Sequence, residues 1–86
     1  MTVTFYGKVC EYTNGDKSYT PRAHVFLRDL LEELGDYYGE RFLSFINGNE
    51  ACIILINGKG IMLSGGINTA LDPNDKIDIL PFVDAG

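Results

Sequence analysis

Two Asn-Gly pairs, Asn14-Gly15 and Asn57-Gly58, constrain the fold of this chain more than any other feature of its sequence. Asn-Gly is the strongest short-range signal for a β-hairpin, because both central residues of a tight hairpin turn favour positive φ angles. Strand-like segments lie beside each pair. The chain is therefore expected to form two hairpins, with a different kind of structure between them.

The first hairpin is predicted from the residues on both sides of the first pair. Residues 2–12 alternate in hydrophobicity as a strand does, with Val3, Phe5 and Val9 on one face. Residues 17–22 follow the turn and are predicted to form a second strand, which Pro21 restricts to an edge of the sheet or places at the strand's end.

Residues 24–35, HVFLRDLLEELG, have the hydrophobic spacing of an amphipathic helix. The apolar positions that recur are Phe26, Leu27, Leu30, Leu31 and Leu34. Gly35 is predicted to end this helix, because the left-handed conformation at a helix end suits glycine. Residues 36–45 are predicted to form a loop with one helical turn that adds aromatic side chains to the edge of the core. These side chains are Tyr38, Phe42 and Phe45.

The second half of the chain predicts three more strands. The apolar run ACIILI at residues 51–56 is typical of a strand buried on both faces or in the middle of a sheet. A short strand is predicted around Ile61 to Leu63, and residues 72–75 have the composition of a β-turn. The alternating residues 76–80 are predicted to form the last strand, which Pro81 ends.

This order of elements predicts an α+β domain with one main helix packed across one face of a mixed sheet of about five strands. The β-grasp fold satisfies the order, with the last strand beside the first and parallel to it. A chain of 86 residues has room for one core. The prediction is a single β-grasp domain over residues 1–86, with residues 82–86 as a flexible C-terminal tail.

The acidic charge balance argues against several classes of partner. Twelve Asp and Glu residues against seven Lys and Arg residues give a net charge of −5. Nucleic acid and anionic membranes are not expected to bind, because both attract clustered Lys and Arg. A protein with a basic groove is the expected partner. The first residues do not resemble a signal peptide, so a cytoplasmic location with reduced Cys10 and Cys52 is expected.

No sequence pattern of an enzyme active site is present. The chain lacks a G-x-S-x-G motif, a P-loop and a G-x-G-x-x-G motif. His24 is the only histidine, and Cys10 and Cys52 do not have the spacing of a metal site. We therefore expect that the chain is not an enzyme and holds no metal or cofactor of its own.

The C-terminal residues are the remaining candidate for chemistry. Residues 82–86, extended at about 3.3 Å per residue, reach roughly 16 Å, which is far enough to enter another protein's active site. Asp84 and Ala85 are small or polar and Gly86 has no side chain, so the segment suits a narrow channel. A free carboxylate is a poor electrophile and needs activation, for example as a mixed anhydride with AMP. The alternative is a frayed end without a function.

Residues 57–86 resemble the C-terminal third of the MoaD/ThiS family of ubiquitin-like sulfur carriers. The family pattern runs from an Asn-Gly turn through a Gly-Leu-x-Thr-x-Leu segment, an Asp-rich turn, a hydrophobic strand and a proline to a terminal Gly-Gly. The matching residues here are Gly66, Ile67, Thr69, Leu71, Asp75, Ile77, Ile79, Pro81 and Gly86. The segments VTFYGKVCEY and RDLLEELG also resemble the family's first strand and helix, so the resemblance spans essentially the whole chain.

The resemblance implies that an ATP-dependent enzyme of the ubiquitin-activating type adenylates the carboxylate of Gly86. A sulfur donor then displaces AMP, and the resulting thiocarboxylate delivers its sulfur to an acceptor inside a partner synthase. The residues implied in docking to these partners are Pro81, Phe82, Val83, Asp84 and Ala85. ATP is used by the activating enzyme and is not held by the carrier.

The leading pathway is molybdopterin biosynthesis, in which the sulfur-accepting partner is the large subunit of molybdopterin synthase or an analogue. The alternatives are a carrier for cysteine or thiamine-thiazole biosynthesis, a ubiquitin-like protein modifier, and a non-catalytic β-grasp interaction module. Ala85 departs from the family pattern, which has glycine there, and alanine reaches fewer backbone conformations than glycine. Three interpretations stay open: a tolerant partner enzyme, a specialised paralogue, and a carrier that has lost activation.

Overall fold

The computed structural model describes residues 1–22, 26–47, 52–61 and 66–82. Five strands form one sheet: β1 (Thr2–Phe5), β2 (Ser18–Tyr19), β3 (Cys52–Ile56), β4 (Lys59–Gly60) and β5 (Lys76–Pro81). Two α-helices follow one another between β2 and β3, and they are α1 (Leu27–Tyr38) and α2 (Glu40–Asn47). Two 3₁₀ helices occupy Gly7–Tyr12 and Gly66–Asn68.

The strand order in the sheet is β2-β1-β5-β3-β4. β5 is central and lies parallel to β1, with Val3 opposite Ile77, and antiparallel to β3, with Ile54 opposite Ile79. The two hairpins, β1 with β2 and β3 with β4, are antiparallel. This mixed five-stranded sheet confirms the predicted β-grasp arrangement, including the last strand beside the first.

The core lies between the sheet and the helices. Alternate residues of three neighbouring strands point toward the helices, and the side chains of Val3, Ile77 and Ile79 are fully buried there. The leucines of α1 cover them, as the helical spacing predicts. The helical side chains that are fully buried are Leu27, Leu30, Leu34 and Phe42.

The prediction that Gly35 ends the first helix is wrong. α1 continues to Tyr38, and Gly39, with φ +97°, follows it and donates its N–H to the Gly35 carbonyl at 2.7 Å. Gly35 is buried inside the helix for a packing reason. A Cβ atom at Gly35 would lie 2.4 Å from Leu43 Cγ, so the missing side chain makes room for Leu43 of α2.

The prediction of a loop over residues 36–45 is also wrong, because Glu40–Asn47 forms the second helix. Its first turn follows directly from the bend at Gly39, and α2 packs against α1. The three aromatic residues predicted there do reach the core. Phe42 is fully buried at its centre, and Tyr38 and Phe45 pack against the core from positions that are partly buried.

The first strand is shorter than the predicted residues 2–12. β1 ends at Phe5, and Gly7, with φ +55°, turns the chain into the 3₁₀ helix Gly7–Tyr12. Val9 is fully buried as predicted, but it reaches the core from this 3₁₀ helix. Alternation alone does not distinguish the two conformations, because one buried residue every few positions fits both.

Both Asn-Gly turns have the predicted conformation. Asn14 and Gly15 have φ angles of +56° and +85°, and Asn57 and Gly58 have +52° and +84°. β4 lies at Lys59–Gly60, ahead of the strand predicted around Ile61 to Leu63. Of that prediction, residues 62 and 63 lie outside the described residues.

The turn predicted at residues 72–75 forms and connects two parts of the fold. The Asp75 N–H donates to the Asp72 carbonyl at 3.0 Å, and the Asp75 carboxylate accepts the Asp72 N–H at 2.7 Å. The same carboxylate accepts the Asn57 side-chain amide at 2.7 Å. Asp75 therefore joins the start of β5 to the second hairpin turn.

Neither described helix combines the length and the apolar composition that crossing a bilayer requires.

Candidate functional site

The predicted site residues begin where β5 leaves the sheet. Pro81 is the last residue of β5 and lies opposite Cys52 of β3. Proline has no N–H to donate, which suits the end of a central strand. Phe82 follows it and is 52% exposed. The other predicted site residues, Val83, Asp84, Ala85 and Gly86, lie outside the described residues.

Gly7 packs against Pro81 on the side of β5 that faces β1. A Cβ atom at Gly7 would lie 3.3 Å from Pro81 Cγ, so the proline ring lies against bare backbone. The preceding residue, Tyr6, donates its N–H to the Ile79 carbonyl at 3.0 Å. This backbone hydrogen bond joins the start of the first 3₁₀ helix to the end of β5.

Phe82 lines an apolar groove of about 390 Å³ that is bordered by β3 and by both α-helices. The groove contains side chains from α1, α2, β3 and the residues after β4. Its apolar lining residues are Leu31, Ile46, Cys52, Ile53, Ile54, Ile61, Ile67 and Phe82. Ile53, Ile67 and Phe82 are 40%, 52% and 52% exposed. Large exposed apolar side chains in one concave patch are typical of a surface that a partner covers.

The sheet face opposite the helices continues this surface. Ile53 and Leu80 are neighbours across β3 and β5, and Leu55 lies opposite Asp78. The Tyr6 hydroxyl donates to Asp78 Oδ1 at 3.2 Å, which gives this largely buried carboxylate a partner. We call Ile53, Leu80 and Phe82 the exit patch, because they surround the point where β5 leaves the sheet.

Cys52 lies opposite Pro81, close to the exit patch. Burial raises the pKa of the Cys52 thiol above its usual value, because the thiolate is poorly solvated there. The thiol is therefore protonated at neutral pH and is a weak nucleophile. Cys52 and Cys10 are both free cysteines in the structure.

The described residues hold no group of three or more His, Cys, Asp or Glu side chains that could bind a metal ion. His24 lies outside them. Sequence reasoning proposed Pro81 and Phe82 for docking but did not predict Tyr6, Gly7 and Ile53 as their neighbours. Gly7 carried a signal, since a glycine interrupts the first strand pattern at the point where the strand ends.

A family model supports the predicted relationship. The model of the ThiS family matches residues 3–86, which is nearly the whole chain. The chain belongs to the ThiS family. The resemblance to the MoaD/ThiS family of ubiquitin-like sulfur carriers is thus confirmed at the level of the family, and the match extends through Gly86. A search of curated protein sequences gives no match.

Solved structures of CysO proteins and of a small archaeal modifier protein have the same fold. CysO of Mycobacterium tuberculosis is 24% identical, with 95% of this chain and 98% of that chain covered and a TM-score of 0.80. A chain of the BexX/CysO complex of Amycolatopsis orientalis is 18% identical, with 99% and 98% covered and a TM-score of 0.81. Small archaeal modifier protein 1 of Methanosarcina acetivorans is 29% identical, with 99% and 94% covered and a TM-score of 0.76.

Proposed function

We propose that this ThiS-family chain carries sulfur as a thiocarboxylate on Gly86 and delivers it in molybdopterin biosynthesis. The observation that carries the proposal is the family match over residues 3–86, which includes the tail and Gly86. The fold supports it, because β5 takes the chain out of the centre of the sheet at Pro81. Members of this family are small carrier proteins, so the chemistry is performed by their partner enzymes.

The first step is activation of the Gly86 carboxylate. One carboxylate oxygen attacks the α-phosphorus of ATP, and pyrophosphate leaves, which gives an acyl adenylate. The second step replaces the adenylate with sulfur. A donor at the oxidation level of sulfide attacks the carbonyl carbon and AMP leaves, so that the tail ends in a thiocarboxylate. Both steps take place in the active site of an ATP-dependent adenylating enzyme of the ubiquitin-activating type.

The exit patch is the surface on which we place the adenylating enzyme. Phe82 and Ile53 are exposed apolar side chains beside the start of the tail. An enzyme that covers them holds the tail at a fixed point while its end enters the active site. The net charge of −5 favours a partner with a basic groove. The environment of Cys52 is compatible with this chemistry, because a protonated thiol does not compete with the sulfur donor for the activated carbonyl.

Ala85 is expected to pass through the partner's channel as the family's glycine does. An alanine adds one methyl group and restricts the backbone to the conformations that ordinary residues adopt. If this restriction slows activation, Ala85→Gly accelerates it. The tolerant partner enzyme is the interpretation that we adopt from the three that the sequence leaves open.

Intact-mass spectrometry tests the proposal. The full chain is incubated with ATP, a sulfur donor and the adenylating enzyme of its own genome. Wild type is expected to gain the mass of one sulfur in place of one oxygen. Ala85→Gly is expected to react at least as fast, and deletion of Gly86 is expected to abolish the change. An unreactive wild type beside a reactive Ala85→Gly variant would identify a carrier that has lost activation.

The acceptor is tested separately, with the thiocarboxylate form and candidate synthases. Transfer to a molybdopterin precursor in the presence of the molybdopterin synthase large subunit is the expected result. Transfer to an activated serine derivative or to a thiazole precursor would instead assign the chain to the cysteine or thiamine pathway. The structural similarity to CysO is the reason to include the cysteine pathway in this test.

Protein modification is a second candidate, favoured by one observation. Small archaeal modifier protein 1 of Methanosarcina acetivorans is 29% identical to this chain over nearly its whole length. In that case a lysine amine attacks the acyl adenylate and forms an isopeptide bond. Covalent adducts of higher mass in cells, lost on deletion of Gly86, would support this function. A chain that binds the adenylating enzyme without being adenylated would be an interaction module.

A further inference from the structure

Gly7 lies in a backbone conformation that few other residue types adopt, and at a position where a side chain would meet a neighbouring ring. Its φ angle of +55° is in the left-handed region, which residues with side chains rarely adopt. A Cβ atom here would lie 3.3 Å from Pro81 Cγ and 3.7 Å from Pro81 Cδ. The first distance is shorter than about nine in ten Cβ contacts in proteins, so the ring would have to move by a few tenths of an ångström.

Pro81 is held from both sides at the end of β5. A side chain at Gly7 would meet the ring from the side of β1, and Cys52 lies opposite Pro81 on β3. Two residues earlier, the Ile79 carbonyl accepts the Tyr6 N–H at 3.0 Å. The proline ring also fixes its own φ angle near −65°. The φ angle of the last residue of the strand is therefore restricted, and Phe82 is the first residue beyond it.

We propose that Gly7 is a positioning residue for the tail: it seats the Pro81 ring and thereby sets the direction in which the chain leaves β5. The inference rests on the proposed function, since the atom to be activated is the Gly86 carboxylate at the end of that segment. Gly7 itself does not touch the reacting atoms. Gly7 acts through Pro81 and Phe82, the residues at which the tail begins.

The expected size of the effect follows from the geometry. A misplacement of about 1 Å away from the reacting atoms costs up to about 100-fold in rate. A ring displaced by a few tenths of an ångström is therefore expected to cost about fourfold in kcat/KM. The loss is expected chiefly in kcat/KM and not in the melting temperature, once the strain of a positive φ angle has been subtracted.

Gly15→Ala is the matched control for Gly7→Ala. Gly15 lies in the same hairpin connection and has φ +85°, but nothing lies within 4 Å of the Cβ that alanine would add. Both substitutions strain the backbone, and only Gly7→Ala also displaces Pro81. Pro81→Ala completes the set, because alanine lacks the Cγ and Cδ atoms that the new Cβ would meet.

The experiment measures melting temperature and the kcat and KM of Gly86 adenylation for these variants. Gly7→Ala is expected to lower kcat/KM about fourfold below Gly15→Ala at a similar melting temperature. In the Pro81→Ala background, Gly7→Ala and Gly15→Ala are expected to be equal. Equal losses in the wild-type background, or the same Gly7→Ala loss with and without the ring, would overturn the proposal.

Gly7→Asn keeps the test valid if Gly7→Ala does not fold. Asparagine tolerates the left-handed region, and Asn14 and Asn57 adopt φ +56° and +52° in this chain. Gly7→Asn thus adds a Cβ with little backbone strain. Its loss of kcat/KM is expected to exceed that of Gly7→Ala, since the larger side chain displaces the ring further. A fully active Gly7→Asn variant would contradict the proposal.

Amide chemical shifts separate this proposal from the proposed function. If wild type is not adenylated, the function fails, but the seat for Pro81 is still measured in the full-length protein. Gly7→Ala is expected to shift the amide resonances of Phe82 and of residues 83–86, and Gly15→Ala is expected to leave them in place. Identical shifts in the two variants would show that Gly7 does not position the tail.

Discussion

The two faces of the sheet differ in how far their apolar side chains are exposed. On the helix face, Val3, Ile77 and Ile79 are fully buried beneath α1 and α2. On the opposite face and at the end of β5, Ile53 is 40% exposed and Phe82 is 52% exposed. β5 contributes alternate residues to both faces, so one strand joins the stabilising core to the surface that we assign to partners.

The apolar side chains of the two faces are expected to contribute to different properties, the stability of the fold and the binding of a partner. Apolar side chains on the helix face stabilise the fold, because water is excluded from them in the folded state. Equally apolar side chains of the exit patch contribute little to folding while they remain exposed, and they stabilise a complex when a partner covers them. Substitutions on the two faces should therefore change different measured quantities.

Phe42→Ala is expected to have the largest effect. Phe42 belongs to α2 and packs in the core between the helices and the helix face of the sheet. Phe42 is fully buried, so the substitution leaves a cavity in the core. The free energy of unfolding is expected to fall by about 3–5 kcal/mol, as measured by urea denaturation. Folded Phe42→Ala protein is expected to be adenylated at the wild-type rate. A slower reaction of the folded fraction would mean that the two faces are coupled.

Phe82→Ala is the opposite test, on the exit patch. Because Phe82 is half-exposed, the expected loss of unfolding free energy is below about 1 kcal/mol. Removal of a central aromatic contact is expected to weaken binding to the adenylating enzyme about tenfold or more, as measured by calorimetry. Unchanged affinity, or a stability loss as large as that of Phe42→Ala, would contradict the assignment.

Gly35→Ala examines the contact between the two helices. The new Cβ would lie 2.4 Å from Leu43 Cγ, so Leu43 must move. We expect the free energy of unfolding to fall by about 1 kcal/mol, since overpacking outweighs the higher helix propensity of alanine. In a Leu43→Ala background the sign is expected to reverse. Stabilisation in both backgrounds would mean that Gly35 is not a packing glycine.

The smallest expected effect is a pH dependence on the helix face. The Tyr19 hydroxyl donates to Glu33 Oε2 at 2.7 Å, and this bond, with burial, raises the pKa of Tyr19 from 10.0 to about 12. Burial and a hydrogen bond to Asp16 also raise the pKa of Tyr38. A tyrosine whose pKa is raised on folding contributes its full stability below pH 10.0 and loses it as the pH rises through about 12.

Denaturation between pH 9 and 12 measures this contribution, over a range of about three pH units. Tyr19→Phe is expected to reduce the decline in stability without removing it, because Tyr38 remains. Tyr37→Phe, at an exposed neighbouring position whose charge also raises the pKa of Tyr19, is the comparison and is expected to reduce the decline less than Tyr19→Phe does. A Tyr19→Phe variant with an unchanged decline would show that the hydrogen bond to Glu33 does not shift this equilibrium.

Local patterns predicted most of the sheet. Asn14-Gly15 and Asn57-Gly58 adopt the positive φ angles that their residue types favour, and alternation identified Ile77 and Ile79 as core residues. These features depend on neighbouring residues only. Gly35 shows where local reasoning failed, because a glycine suits both a helix end and a close contact with another helix.

The candidate site was only partly predictable for the same reason. Pro81 and Phe82 follow from the end of the last strand pattern. The contact between Gly7 and Pro81 joins nearly opposite ends of the chain, and the parallel pairing of β1 with β5 creates it. The apolar exposure of Ile53 likewise depends on which face of β3 the helices cover. Such contacts become visible only when the fold is assembled.

The most direct test of the central claim is the mass of the C-terminal peptide of this protein isolated from its own cells. A thiol-alkylating reagent added at lysis traps a thiocarboxylate before it hydrolyses. We expect a peptide that ends at Gly86 and carries one alkylated sulfur in place of a carboxylate oxygen. A peptide that carries only the free carboxylate, under conditions in which sulfur transfer is required, would contradict it.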